Sequence, residues 1–395
     1  MRVAVVSPRY GAEIGGGAET LARLYAHRLA ARAEVTVLTT CALEYRTWAD
    51  HYPPGESRDG AVRVRRFPVP RPRDGARFDA LSARLLGGAV SGEAAEREWM
   101  AAQGPVAPGL TEHLREYGDG YDAVLFVPYL YATTVHGLPA VSQRAVLIPA
   151  LHDEPPLALG IFDEVVRAAR RLVFSTPEEQ DLAVRRFGID RGRSAVVGVG
   201  VDPPPPADPA RGRAALGLGR RPYALCLGRI EPSKGSDVLI EAHERYRRHR
   251  PEGLDLVMVG RQVMDLPSAS WLHAPGFVEE QTKHDLLAGA ALLVCPSPYE
   301  SLSLVLLEAW SHGVPTLSSK ASPVLVGQSS RSRAGLWFED ALGYAAALDL
   351  LGANPPLARA LGHAGRRFTQ GLTWGAVTAR LWEQVEAAAA EGAAP

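Results

Sequence analysis

The sequence predicts an α/β protein of two doubly wound domains, each a parallel sheet flanked by helices. Three observations carry that expectation. Runs rich in Val, Ile and Leu alternate with longer amphipathic segments through both halves of the chain, as buried parallel strands and covering helices require. Four consecutive prolines, 203–206, break the rhythm at mid-chain, and they can continue neither a helix nor a strand. The chain has 395 residues, enough for two or three domains at about 100–200 residues each.

In the first half the runs at 2–8, 34–40, 62–69, 121–127, 145–151, 171–176 and 195–201 read as strands. Helical patterns lie between them, at 18–32 and at 177–187, the latter with Ser175 or Thr176 as cap and Pro177 in the first turn. In the second half 223–228, 255–260, 271–276, 292–297 and 314–319 read as strands, with helices near 235–249, 279–289 and 302–313. The expected domains are 1–200 and 223–373, joined by a stiff proline-rich hinge at 201–222. A closing helix over 374–395 is expected to pack back on the first domain. The segment 328–338, QSSRSRAGLWF, takes no assignment from its pattern.

Composition excludes several classes. Lys plus Arg is 43 against 44 for Asp plus Glu, so the basic excess of a phosphate-neutralising nucleic-acid binder is missing. Three scattered cysteines, Cys41, Cys226 and Cys295, form neither a disulfide framework nor a CxxC metal site. The last two sit in apolar runs as small buried hydrophobes. No apolar stretch approaches the ~20 residues of a membrane span. The opening apolar run ends at Pro8 and Arg9, too short for a signal-peptide core. The expected location is cytoplasmic. Seven arginines between 58 and 77 face only Asp59 and Asp74 in that run, which gives a weak peripheral contact with the inner membrane face as one reading and a solvated face as the plainer one.

One bias is informative. Only three of the 43 basic residues are lysines, Lys234, Lys283 and Lys320. A lysine in an arginine-saturated chain asks for a compact point charge.

Chemistry concentrates in the second half. GRIEPSKG (228–235) follows a strand and opens a helix, so its amides, Arg229 and Lys234 lie at a strand's carboxyl end, where open α/β sheets bind ligands. A helix N-terminus favours anions, and the two cations can clamp a diphosphate. The G-x-x-x-x-G-K-[ST] pattern is absent. In PSPYESLSLVLLEAW (296–310), a helix running from Glu300 would set Glu300 and Glu308 about 12 Å apart at ~1.5 Å per residue. Hydrolytic pairs sit about 5–9 Å apart. Two ends of one ligand fit better, with an anion between them on the amides of 301–305. The plain alternative is that Glu308 pairs with a nearby arginine.

GRIEPSKG, then GFVEEQ (276–281), then ESLSLVLLE closely resembles the retaining glycosyltransferases of family 4, whose GT-B fold sets two Rossmann-like domains across a cleft. The ordered match covers most of 225–320, and two glutamates separated by seven residues are that family's signature. The resemblance implies that Arg229 and Lys234 hold the donor diphosphate, that Glu300 contacts the transferred sugar and that Glu308 bonds the ribose. It implies that the backbone around Phe277 and Val278 lines the base, with Arg261 nearby, and that Ser303, Leu304 and Val305 meet the diphosphate. Where the family usually carries E-G-F-G, this chain has Glu300-Ser301-Leu302-Ser303. Side chains replace both glycines there, which leaves room for a different fit around the diphosphate and for a bulkier or redirected sugar.

In the first half, Gly15, Gly16 and Gly17 follow the first strand and open a helix, where a backbone can approach a donor closely; the family's loop borders the cleft at this place. His152 follows the strand at 145–151, and by the resemblance it stands near the anomeric carbon. The implied protein moves a sugar from a UDP- or GDP-sugar to a hydroxyl of a saccharide, lipid-linked or small-molecule acceptor. It keeps the anomeric configuration and uses no metal or other cofactor; no His, Asp and Glu cluster shows metal-ligand spacing. Two rival readings remain: a sugar-nucleotide binder without turnover, and a GT-B epimerase needing no acceptor.

Overall fold

A computed structural model describes residues 1–392. The chain divides into two compact units, Met1–Val199 with the helix Trp374–Gly392, and Gly200–Thr373.

The first unit is built on eight strands: β1 (Arg2–Val6), β2 (Glu34–Thr40), β3 (Gly55–Asp59), β4 (Val62–Phe67), β5 (Ala123–Phe126), β6 (Ala145–Leu147), β7 (Arg171–Phe174) and β8 (Ser194–Val196). Their order is β3-β4-β2-β1-β5-β6-β7-β8. β1 pairs in parallel with both β2 and β5, so chain order reverses between β1 and β5. The sheet is not wholly parallel as expected, because β3 runs antiparallel to β4. Gly60, at φ +60°, makes the tight turn between them. GESRD has no apolar residue to reveal a strand; it is an exposed edge, and its charge discourages further pairing. Val3 to Val6 and Val124 to Phe126 are fully buried at the sheet centre.

The helix Trp374–Gly392 belongs to this unit. Its buried stripe of Val377, Leu381, Val385 and Ala388 follows helical spacing. Arg28 lies over the Trp374 ring, and Arg380 donates to the Val197 carbonyl at 2.9 Å. Its far end is tied by Glu391 to Arg170 and Arg171. A cavity of about 680 Å³ opens there, with Arg167, Arg170 and Arg193 in its wall. It lies at the amino ends of β6 to β8, away from the sheet's carboxyl edge. Residues 393–395 of the expected closing helix lie outside the described residues.

The second unit carries β9 (Tyr223–Leu227), β10 (Asp255–Val259), β11 (Leu272–Gly276), β12 (Leu292–Cys295), β13 (Thr316–Ser319) and β14 (Gly335–Phe338) in the order β11-β10-β9-β12-β13-β14. Every pair is parallel, and chain order reverses between β9 and β12. The unassigned segment 328–338 supplies β14 and the end of the helix Pro323–Ser332, whose serines hid its periodicity.

Two further expectations need correction. The proline-rich connector is extended only in part, since Asp208 caps a helix, Pro209–Ala215. That helix docks on the helix Glu280–Gly289, where Asp285 accepts from the Asp208 amide at 2.8 Å and from Arg211 at 2.6 Å. A side chain at Gly212 would collide with the backbone of Asp285. Secondly, the helix after β12 spans Leu304–Ser311 and not 302–313. Ser303 is its extended N-cap, so Glu300 precedes the helix and the helical 12 Å spacing does not apply.

Candidate functional site

Parallel strands bring their following loops to one edge of each sheet, and a ligand crevice forms where chain order reverses. In the second unit that place lies between the loops after β9 and β12. The β9 loop runs through Gly228 (φ +133°) to Gly235 (φ +71°), which opens the helix Ser236–His249. A Cβ on Gly235 would overlap the Pro296 carbonyl, so this glycine lets the two loops touch. Their contact carries the motif residues: Lys234 Nζ lies 2.9 Å from Glu300 Oε1. Both belong to the predicted site, and the fold joins them across 66 residues of sequence.

Arg229 is held at 3.1 Å by Glu231. Glu231 also accepts from the Ser233 hydroxyl at 2.6 Å. Glu231 therefore aims the guanidinium, although GRIEPSKG alone gives it no role. Glu308 pairs with Lys283 at 2.8 Å, not with an arginine. Glu280 holds the same ammonium at 2.7 Å. Burial works against the Lys283 charge, yet Glu308 and Glu280 outweigh it and its pKa rises. With Lys320 on Glu339 at 2.6 Å, every lysine of the chain meets a glutamate at or behind the carboxyl edge. Lysine scarcity was a sequence signal that could have found Lys283.

The amides expected to meet an anion are partly spent. The Ser303 amide donates to Gln328 Oε1 at 2.9 Å, and the buried Ser303 hydroxyl lies 3.8 Å from Cys295 Sγ. Leu304 and Val305 open the helix Leu304–Ser311, where backbone amides have no intrahelical acceptor. The β9 and β10 loops lie side by side: Ile230 donates its amide to the Arg261 carbonyl at 2.9 Å. β11 ends at Gly276 (φ +80°), followed by Phe277, which is 77% exposed, and half-buried Val278. An aromatic ring left that open at a sheet's carboxyl edge is suited to stacking on a base. Cys226 and Cys295 are buried and free, and burial raises the Cys295 thiol to about 12.

His152, Gly16 and Gly17 stand in the first unit, also at the carboxyl edge. Gly16 caps the helix Gly17–Leu29, and a Cβ on it would overlap the carboxylate of Glu19. Glu19 is buried and paired with Arg9, whose Nε donates at 2.9 Å and whose Nη1 donates to the Leu43 carbonyl at 3.0 Å. Gly16 thus has an internal reason to be glycine. Gly15 and Gly17 have open space where a side chain would be.

His152 Nδ1 lies 3.0 Å from Glu154 Oε1, and Tyr129 donates its hydroxyl to the same oxygen at 3.1 Å. Beneath them, fully buried Glu179 accepts from the amides of Leu151 (2.8 Å) and Ser175 (2.7 Å). Thr176 caps its helix, Pro177–Phe187. Burial pushes the Glu179 carboxyl up to about 7 against those two hydrogen bonds. Neither Glu154 nor Tyr129 carries a sequence pattern that marks it, and Glu179 reads only as the acid three residues after the Thr176 cap.

The arginine run is not one free patch. Arg63 pairs with Glu34, Arg65 with Glu56 and Arg77 with Glu98. Arg66 covers the Tyr52 ring at 4.0 Å. Arg73 donates to the Gln103 carbonyl at 2.9 Å beside Trp48. Among the described residues no helix is long and apolar enough to cross a membrane, and no cluster of three or more His, Cys, Asp or Glu could hold a metal ion.

The profile of the family described as glycosyl transferases group 1 matches residues 221–354, the stretch holding Arg229, Lys234, Glu300 and Glu308. A Frankia alni protein named D-inositol 3-phosphate glycosyltransferase is 31% identical over 280 residues, 64% of this chain and 67% of that one. The chain belongs to the glycosyl transferases group 1 family. A Streptomyces avermitilis protein of the same name is 32% identical over 269 residues, and the match spans 61% of this chain but only 57% of that relative. Over nearly the whole chain the fold is that of the sucrose-phosphate synthase of Thermosynechococcus elongatus, with TM-score 0.72, 21% identity, and 98% and 99% of the two chains covered. Anabaena HepE in complex with UDP-glucose gives TM-score 0.70 at 16% identity, covering 98% and 100%. These likenesses establish the GT-B fold class.

Proposed function

We propose that this chain is a retaining glycosyltransferase that takes a sugar from a nucleoside diphosphate sugar and needs no metal ion. The observation that carries the reading is the Lys234–Glu300 pair at the reversal point of the second sheet. Lys234 keeps about a third of its side-chain surface open, so an incoming diphosphate can reach the ammonium and take it from Glu300. The carboxylate so released is free to accept from sugar hydroxyls.

In this reading Arg229, Lys234 and the helix start at Leu304 and Val305 hold the diphosphate. Phe277, Val278 and Arg261 border the base, and Glu308 with Lys283 meets the ribose. Gly17 brings backbone close to the donor. The bond from the anomeric carbon to the β-phosphate oxygen breaks, and an acceptor oxygen bonds to the same face of that carbon. The acceptor proton passes to the departing phosphate. Negative charge growing on that phosphate is stabilised by fixed cations and amides, a contribution of about 2.7–4 kcal/mol for each well-placed donor.

The HepE complex favours UDP as the nucleotide. The names of the curated relatives make a phosphorylated polyol the first acceptor to try. The test is incubation with UDP-glucose or UDP-N-acetylglucosamine, in excess EDTA, with an acceptor panel. The expected product keeps the donor's anomeric configuration by proton NMR. An inverted product, or transfer that requires added metal, would contradict the mechanism.

A further inference from the structure

The loop after β6 carries more constraints than a connection needs. Ala150 sits at φ +54°, a left-handed conformation that is strained for a non-glycine residue and persists only where its surroundings over-determine it. They do so here. The Tyr129 amide donates to the Pro149 carbonyl at 3.1 Å, and the Leu151 amide is held by Glu179. The Glu154 amide donates to the His152 carbonyl at 2.8 Å, closing a three-residue turn. That turn brings the Glu154 carboxylate to the Nδ1 side of the His152 ring.

Tyr129 completes the arrangement. It is buried, packed edge-on against Phe162 at 4.7 Å, and its hydroxyl donates to the Glu154 oxygen facing His152. An ionised carboxylate only accepts hydrogen bonds. In neutral His152 the hydrogen must then be on Nδ1, and Nε2 is left as a lone-pair acceptor.

We infer that Glu154, steadied by Tyr129, is a positioning residue that fixes the Nδ1–H tautomer of His152, so that Nε2 accepts a hydrogen bond from a hydroxyl of the transferred sugar or acceptor. The inference rests on the glycosyl-transfer reading for the hydroxyl, but not for the tautomer. It excludes neutral His152 as proton donor to the departing phosphate. Without the carboxylate the ring is free to take either tautomer.

Two measurements test it. With ¹⁵N-labelled histidine, the ring signals missing from His152→Ala are those of His152. Near pH 8 they should report hydrogen on Nδ1 in the wild type and in Glu154→Gln, whose amide oxygen still accepts. In Glu154→Ala they should report a mixture or the other tautomer. In turnover at saturating donor, Glu154→Ala should lower kcat by about 10–100-fold, with donor KM within twofold, as misplacement of a contact does. The double variant His152→Ala/Glu154→Ala should be no slower than His152→Ala, because residues acting as a unit are not additive. An unchanged tautomer in Glu154→Ala, or a double variant that multiplies the two losses, overturns the inference. Should the wild type show no transfer, the glycosyl-transfer reading fails, while the tautomer still decides the link between Glu154 and His152.

Discussion

At the carboxyl edge of the second sheet the ion pairs stand half open. Lys234 and Glu300 keep 34% and 16% of their side-chain surface, and Lys283 and Glu308 keep 20% and 32%. At the carboxyl edge of the first sheet two charges are sealed beneath an open pair: Arg9 and Glu19 keep 11% and 8% and Glu179 is buried against two backbone amides, whereas His152 and Glu154 keep 29% and 18%. An open pair of cation and carboxylate can exchange partners with a charged ligand at little cost. A sealed one cannot, because separating it leaves an uncompensated buried charge. The second edge is therefore built to trade contacts, and the first, His152 and Glu154 apart, to hold loops in place.

The largest expected effect breaks the open edge. Lys234→Ala should lower transfer by about 10²–10³-fold, the loss of one charge-stabilising donor, and should weaken nucleotide binding. Glu300→Ala should depress kcat strongly while leaving nucleotide affinity within a few-fold, read by steady-state kinetics beside calorimetry. A loss of nucleotide affinity with kcat unchanged for Glu300→Ala would assign it to binding alone.

At the sealed edge the effect should fall on stability. Glu179→Ala orphans the amides of Leu151 and Ser175, each at about 1–3 kcal/mol. Urea denaturation should show a loss of roughly 2–5 kcal/mol. A loss below about 1 kcal/mol would mean that the carboxyl is not what holds the two loops.

The two units should also answer pH in opposite directions. Glu179 is raised to about 7 by burial. Its contribution is therefore fully present below the ordinary carboxyl range and is lost as pH rises toward and through 7. In the second unit burial lowers His243 to about 4. There the neutral ring accepts from the Tyr344 hydroxyl at 2.8 Å and donates to the Leu254 carbonyl at 3.0 Å. Its contribution is present above the ordinary histidine value and is lost as pH falls toward 4. A tenfold change in a proton-binding constant is worth about 1.4 kcal/mol, so each effect is at most roughly 3–4 kcal/mol. Hydrogen exchange from pH 5 to 7, corrected for intrinsic rates, should show protection falling around Leu151 and Ser175 and rising around His243. Parallel changes in both units would contradict the assignment.

The smallest effect concerns the glycines. Gly16→Ala forces its new methyl onto Glu19 and should cost about 1–3 kcal/mol, as overpacking does. Gly17→Ala meets nothing and should leave stability within about 1 kcal/mol. A fall in donor affinity in Gly17→Ala without a fall in melting temperature would place the donor against that backbone.

How far the sequence reached follows the same division. The alternation of apolar runs and helices marked the buried strands and also the half-open β4, β8 and β11, and missed two: GESRD, an exposed edge with no apolar residue, and GLWF behind a serine-rich helix. The open site was legible because its residues cluster in short motifs, Arg229 with Lys234 and Glu300 with Glu308. The residues that aim them were not. Glu231 looked like motif filler, Gln328 lies 25 residues from the amide it holds, and Lys283 meets Glu308 only through packing of two helices. The sealed site offered one visible residue, His152. Glu154 and Glu179 are acids in acid-rich segments, and only the folded chain shows that one faces an imidazole and the other two amides.

The central claim is that the reversal point of the second sheet binds a nucleoside diphosphate through Lys234 without metal. Melting temperature in excess EDTA with UDP, GDP, ADP or dTDP, for wild type and Lys234→Ala, tests it most directly. At 100 times its dissociation constant a ligand adds about 2.7 kcal/mol to the native state. The account predicts an upward shift with UDP that Lys234→Ala abolishes. No shift with any nucleotide, or a shift that survives in Lys234→Ala, would contradict it.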